Sequence, residues 1–182
     1  MEKKIKVSLV GCGNISNTHL PIISSLNCAK LSSVCDVEPQ KADAAAKKYN
    51  CKAFYDFETM LNEDKPDCVH ICTPHYLHTE MAEKALSKGI HVLCEKPLAI
   101  DKKSLESLRH TAKDSNAVFG VCFQNRYNDA VIKAKEIIKS NALGKLFAAK
   151  GNVSWFRDSS YYSDNWHGKL SKEGGGVLVN QA

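Results

Sequence analysis

Val7-Ser8-Leu9-Val10-Gly11-Cys12-Gly13-Asn14-Ile15-Ser16 is a strand that runs into a Gly-x-Gly-x-x-small turn and then into a helix. Gly11 permits the tight turn, Gly13 lets the backbone approach a pyrophosphate, and Ser16 is small enough for close helix–strand packing. The helix behind the turn presents free N–H groups to phosphates, which makes Asn14 and Ile15 expected contacts beside the two glycines. Glycine-rich turns occur in many loops, so the context has to carry the reading. A second strand follows and ends at Asp36, 25 residues after Gly11. A carboxylate there accepts both hydroxyls of an adenosine ribose and repels a 2′-phosphate. NAD is therefore the expected cofactor and NADP is disfavoured, although Lys41 leaves some tolerance for a phosphate.

Outward from this turn, short apolar runs alternate with longer helical patterns, the signature of a parallel sheet covered by helices. Strands are expected at 4–10, 30–35, 51–54, 68–72, 91–94 and 118–123. Helices are expected at 15–26, 39–49, 57–62, 78–88 and 102–115, with Asp56 and Asp101 as N-caps and Gly89 as a stop. The fold class is α/β, a doubly wound parallel Rossmann sheet over 1–123 followed by the start of an incomplete α+β domain over 124–182. In that second part a helix is expected around 130–139, closed by Gly144, then one longer strand over 145–156 and a helix-like Val177-Leu178-Val179. One helix and one strand cannot bury a core, since an isolated strand leaves its ladder groups unpaired. The expectation is that the chain is a piece of a longer protein or that another chain supplies the missing strands.

The formal net charge of +5 comes from 25 basic and 20 acidic residues spread along 182 positions. No basic stripe with interleaved aromatics appears, which argues against nucleic acid as a partner. No run approaches the ~18 apolar residues of a membrane helix, and Met1-Glu2-Lys3-Lys4 leads into a strand with no signal-peptide apolar region. A cytoplasmic protein is expected. Eight cysteines would suggest disulfides in a short secreted chain, but Cys35, Cys68, Cys72, Cys94 and Cys122 sit in strand-like apolar runs and read as free thiols. Cys68 with Cys72, or His75 with His78, lacks a second pair at zinc spacing, so no metal is expected.

Three further stretches bear on function. Cys72-Thr73-Pro74-His75-Tyr76-Leu77-His78 leaves the fourth strand at the carboxyl edge of the sheet, where ligands of doubly wound folds bind. Glu95-Lys96-Pro97 leaves the fifth. Gly174-Gly175-Gly176-Val177-Leu178-Val179-Asn180-Gln181 closes the chain. Together with the glycine turn these resemble, in order and spacing, the glucose-fructose oxidoreductase / inositol dehydrogenase / MocA family. The resemblance implies hydride transfer between NAD and a hydroxyl or ketone carbon of a sugar, cyclitol or related polyol, and a second domain that commonly builds homo-oligomers. It implies that Thr73, Pro74, His75 and His78 line the nicotinamide half of the site. It also implies that Glu95 contacts the nicotinamide ribose, that Lys96 reaches the reacting oxygen, and that the bond before Pro97 is cis, where cis costs little. Asn125 is a further expected cofactor contact, and Asn180 joins Lys96 as a catalytic candidate. Two departures matter: many members carry aspartate at the position of Asn180, and the family's catalytic histidine falls at position 184, beyond Ala182.

Oxidation of a secondary alcohol needs a group to take the hydroxyl proton as the carbonyl forms. A lysine beside the cofactor's positive ring has its ammonium disfavoured and can serve, or can donate a hydrogen bond to the developing alkoxide. The competing reading is a catalytically silent NAD-binding module or a truncated fragment that lacks the catalytic histidine. Arg126 is read either as a contact to a substrate carboxylate or cofactor phosphate, or as a partner of an acid at the domain junction. Trp166 is read as a pocket wall or as packing.

Overall fold

Six parallel strands form one sheet in the order β3-β2-β1-β4-β5-β6 in the computed structural model, which describes residues 3–180. They are β1 Ile5–Val10, β2 Ala29–Cys35, β3 Lys52–Phe54, β4 Cys68–Ile71, β5 His91–Glu95 and β6 Phe119–Cys122. The helices between them are α1 Ser16–Ser25, α2 Pro39–Tyr49, α3 Phe57–Asp64, α4 His78–Ser87 and α5 Lys102–Asp114. Strand order reverses between β1 and β4, so the loops leaving these two strands diverge and open a crevice at their carboxyl ends.

Alternation along the buried strands fills both faces. Val10, Val69, Ile71, Val92 and Cys94 pack with Met60, Leu61, Ala82, Leu86 and Leu108 of α3, α4 and α5. Val7, Leu9, Leu31 and Val34 pack on the other face with Leu20 and Ile23 of α1 and Ala46 of α2. The expected caps form: Asp56 accepts the Thr59 N–H at 2.8 Å and Asp101 that of Ser104 at 2.9 Å. Gly89, at φ 74°, follows the end of α4. All eight cysteines are free thiols, and no helix among the described residues is long and apolar enough to cross a membrane.

A polar cluster is buried at the opposite end of the sheet from the crevice. Asp64, 2% exposed, accepts from Ser32 at 2.5 Å, Ser33 at 3.0 Å and Ser8 at 3.1 Å. The ammonium groups of Lys6 and Lys52 stand 3.2 and 3.4 Å from its other oxygen. Burial pushes this carboxyl up, but the hydrogen bonds from Ser32, Ser33 and Lys6 outweigh it and hold the group below its ordinary value. A carboxyl depressed in the folded state stabilises above its unfolded pKa, about 4, and loses that stabilisation as pH falls through the lower folded value. Asp64→Ala should therefore cost about 1–3 kcal/mol at neutral pH, since the buried hydroxyls of Ser8 and Ser33 lose their acceptor while Lys6 and Lys52 reach solvent. The loss should shrink in strongly acidic buffer; urea midpoints unchanged at neutral pH would contradict this.

The second part of the chain departs from expectation. After a 3-10 turn at Gln124–Tyr127, α6 spans Asp129–Lys139 and no residue of it is buried. It ends at Ser140, with Gly144 at φ 66° further on rather than at its cap. The strand expected over 145–156 does not form: those residues carry no regular structure. The reason is the ladder, because none of the described strands lies alongside to take its N–H and C=O groups. Leu146, Phe147, Val153, Trp155 and Phe156 stay exposed. Two short helices follow, α7 Leu170–Glu173 and α8 Val177–Asn180. Gln181, the last residue of the glycine-rich motif, lies outside the described residues.

Candidate cofactor and active site

The carboxyl edge gathers the residues that the sequence singles out. Gly11 has φ +93°, and a Cβ there would stand 2.6 Å from the Cys72 carbonyl carbon and oxygen and 2.7 Å from the Thr73 nitrogen. The glycine is needed because β1 and the exit of β4 touch, with the Cys72 N–H donating to the Val10 carbonyl at 2.8 Å. Gly13 is different: a Cβ on it meets nothing within 4 Å. The open space lies outside the protein's own packing, as a bed for a ligand's phosphates requires. The Ser16 hydroxyl closes the turn on the Gly13 carbonyl at 2.6 Å. Among the described residues no acceptor takes the N–H groups of Asn14 or Ile15, both exposed at the start of α1. Half-buried Asp36 stands beside this turn, accepting from the Cys12 N–H at 2.7 Å and the Glu38 N–H at 2.9 Å. Two free N–H groups, an open glycine and a carboxylate at the adjacent strand end fit a dinucleotide.

Thr73, Pro74 and His75 form the loop leaving β4. His75 is buried, its Nδ1 3.4 Å from the Glu173 carbonyl and its ring against Trp166, with centroids 4.7 Å apart. Burial pushes its pKa down to about 4, so the ring is neutral. His78 stands behind the expected site surface rather than on it. It is fully buried, and its two nitrogens face the carbonyls of Pro97 at 2.8 Å and Thr73 at 2.7 Å. It ties the β4 and β5 loops together. The Lys96–Pro97 bond is cis.

Glu95 is the hub of a network that the sequence did not announce. It is 6% exposed and accepts from His19 Nε2 at 2.7 Å and from the Lys96 N–H at 3.2 Å. The other nitrogen of His19 meets His70 Nδ1 at 3.2 Å. Burial pushes Glu95 up, yet the His19 hydrogen bond and charge, the Lys96 N–H and Cys122 hold it below its ordinary value. As a carboxylate it only accepts, so His19 donates to it from Nε2, while one hydrogen is shared between the Nδ1 atoms of His19 and His70. His70 is pushed down to about 4, first by burial and then by His19.

Lys96 reaches away from this hub. Its ammonium donates to the Asn180 backbone carbonyl at 2.7 Å and to Asn180 Oδ1 at 3.1 Å. The Asn180 amide nitrogen donates to Glu173 Oε1 at 2.7 Å, and Glu173 Oε2 accepts the Gly168 N–H at 2.7 Å. The amide is thereby fixed with its oxygen toward the lysine. Gly174, at φ +84°, permits this docking, since a Cβ there would meet Ile100 Cβ at 2.7 Å. Asn180 also lines a cavity of about 660 Å³ with Trp155, Phe156, Arg157, Tyr161 and Tyr162. Asn125 is exposed beyond β6, and the Arg126 guanidinium stands over the Phe123 ring at 5.8 Å. Burial pushes the thiols of Cys12 and Cys35 up to about 12 and that of Cys68 to about 11, so none of them is an activated nucleophile.

Sequence reasoning missed His19, His70, Cys122 and Glu173. Only the alignment of β4, β5 and β6 and the packing of α1 against them bring the first three together. Glu173, just before the glycine triplet, gives no sign of its partner.

A parallel sheet of this order, with a glycine turn at its switch point and an acid closing the next strand, defines a dinucleotide-binding protein. Residues 5–123 match the oxidoreductase family with an NAD-binding Rossmann fold, Gfo/Idh/MocA, and the chain belongs to that family. It is 30% identical over 145 residues to glucose-6-phosphate 3-dehydrogenase of Bacillus subtilis (strain 168), an overlap of 80% of this chain and 41% of the relative. Among solved structures it resembles the WlbA dehydrogenase of Bordetella pertussis in complex with NADH and UDP-GlcNAcA. That likeness has a TM-score of 0.95 at 31% identity and covers 99% of this chain and 56% of the other. Scyllo-inositol dehydrogenase of Lactobacillus casei, solved with NAD(H) and scyllo-inositol, matches with a TM-score of 0.75 at 31% identity over 78% of this chain and 43% of the other. The chain spans about half the length of these relatives.

Proposed function

We propose that the protein carrying this chain is an NAD-dependent dehydrogenase that oxidises a hydroxyl carbon of a sugar. The observation that carries this reading is Lys96, which follows the carboxyl end of β5 and whose ammonium is bonded to Asn180, a residue lining an aromatic cavity. Gly11 and Gly13 shape the pyrophosphate bed, and the N–H groups of Asn14 and Ile15 point to it. Asp36 accepts the adenosine ribose hydroxyls, and Glu95 accepts a hydroxyl of the second ribose. Thr73, Pro74 and His75 wall the nicotinamide end, with Asn125 at its outer rim, while His78 holds the wall in place. Bound NAD supplies the hydride acceptor. Lys96 donates to the substrate oxygen as negative charge develops there, in exchange for one of its two bonds to Asn180. Residues 124–182 belong to a substrate domain, which in the full-length protein carries the proton shuttle, covers the apolar side of α6 and builds the homo-oligomer.

The substrate reading is narrower than a polyol. The NADH and UDP-GlcNAcA complex matches nearly the whole chain, including the cavity segment, whereas the inositol enzyme matches 78%. The Arg157 guanidinium lies over Trp155 at 5.3 Å and Tyr161 at 5.1 Å, a cation among rings suited to an anionic sugar. The full-length protein should reduce NAD with UDP-GlcNAcA and not with scyllo-inositol or glucose 6-phosphate. Turnover of inositol alone would overturn the substrate reading, and no turnover with any of them would overturn the dehydrogenase reading.

Asn180 gives a sharper test of the lysine's surroundings. Asn180→Asp sets two carboxylates about 2.7 Å apart against Glu173. Like charges at that distance should lower kcat about tenfold or more, and Glu173→Gln on top of Asn180→Asp should restore most of it, a coupling within the usual range for contacting pairs. Equal kcat for the single and double variants would show that Glu173 does not act through residue 180.

A further inference from the structure

We infer that His19, Glu95 and Cys122 form a binding site for a soft divalent cation of the zinc type. Their donor atoms all lie within 4.8 Å of one another, and they are the one group of three such side chains among the described residues. The register explains the grouping: Glu95 and Cys122 are direct partners on the adjacent parallel strands β5 and β6, so their side chains project from the same face side by side. His70 pairs with Leu93, two residues before Glu95, and therefore stands on that face too. His19 comes down on it from α1.

The donor set suits the cation. Zinc takes imidazole nitrogen and carboxylate oxygen at about 2.0–2.2 Å and thiolate sulfur at about 2.3 Å, so tetrahedral ligands stand roughly 3.3–3.7 Å apart. His19 Nε2 and Glu95 Oε1, now 2.7 Å apart, have to part by about half an ångström, and the thiol, within 4.8 Å of both, has to come to about 3.5 Å. The outer shell is already in place, because the free nitrogen of a ligating histidine normally donates to a second group. His19 Nδ1 faces His70 Nδ1 at 3.2 Å. In the metal-bound form His19 Nε2 carries no proton, its Nδ1 donates to His70 Nδ1, and the proton of His70 sits on Nε2; any proton displaced from His19 leaves to solvent. The Cys122 thiol proton leaves to solvent as the metal–sulfur bond forms, so no oxidant or reductant is involved. Half-buried Cys122 gives an entry path, and a fourth position stays open to water.

The test uses the reduced full-length protein stripped of metal and titrated with cobalt(II) and zinc(II) alone, without NAD or substrate. Glu95 also serves the second ribose in the dehydrogenase reading, so metal and NADH compete for it, and a titration without NAD tests the metal alone. One cobalt per chain should bind with a near-ultraviolet thiolate-to-metal band that zinc abolishes and that Cys122→Ser lacks. His70→Ala should weaken zinc binding about 10- to 100-fold. In the wild-type protein zinc should slow alkylation of Cys122 by iodoacetamide, read by peptide mass spectrometry, and this arm decides if the variants do not fold. No thiolate band, a band that survives Cys122→Ser, or alkylation of Cys122 at the same rate with and without zinc would each overturn the site.

Discussion

Lys96→Met in the full-length protein should lower kcat about 10²- to 10⁴-fold, the span of a single proton-transfer or charge-stabilising group. NADH affinity should stay within a small factor of wild type. The split follows from where the side chain goes. The Lys96 N–H serves the Glu95 carboxylate at 3.2 Å and survives the substitution, whereas the ammonium serves Asn180, which lines the cavity. Methionine keeps the length and the apolar stem and removes the donor. Near-normal turnover would mean that Lys96 only ties α8 to the sheet, and a collapse of NADH binding would place it in the cofactor bed instead.

Gly11→Ala should destabilise the fold about 2–5 kcal/mol. A left-handed φ costs an L-residue roughly 1–2 kcal/mol, and forcing atoms into packed space costs a further 1–3 kcal/mol or so. Both apply, because φ is +93° and the new Cβ would overlap the backbone of Cys72 and Thr73 at 2.6–2.7 Å. Backbone cannot swing aside as a side chain can. Against a typical stability of about 5–15 kcal/mol, such a loss is a large drop in melting temperature. Gly13→Ala is the contrast: its Cβ meets nothing within 4 Å, so melting should hardly change while NADH binding weakens. Equal melting losses for the two variants would show that the turn is not built as described.

These two glycines also show what was legible in the chain. Local chemistry was: the turn after β1, the caps Asp56 and Asp101, the stop at Gly89 and the alternation of strand and helix are written in consecutive residues, and they placed the sheet to within a residue or two. The ends of elements slipped where tertiary contacts decide, as in α3, which runs on to Asp64 because that carboxylate is held by serines of β1 and β2. Residues 145–156 read as one longer strand, yet a strand is a property of two chains of backbone, and the partner is not among the described residues. The family resemblance puts His78 on the site wall; its burial behind two carbonyls depends on Pro97, nineteen residues away. The His19–His70–Glu95–Cys122 network was invisible for the same reason, since its members sit on four different elements.

The most direct measurement is a fluorescence titration of the purified protein with NADH and with NADPH, repeated on Asp36→Ala. Saturable NADH binding, weaker NADPH binding, and loss of that preference in the variant are predicted, because Asp36 stands at the end of β2 against the glycine turn. Tighter binding of NADPH than of NADH, or no saturable binding of either, would contradict the assignment of the crevice to NAD.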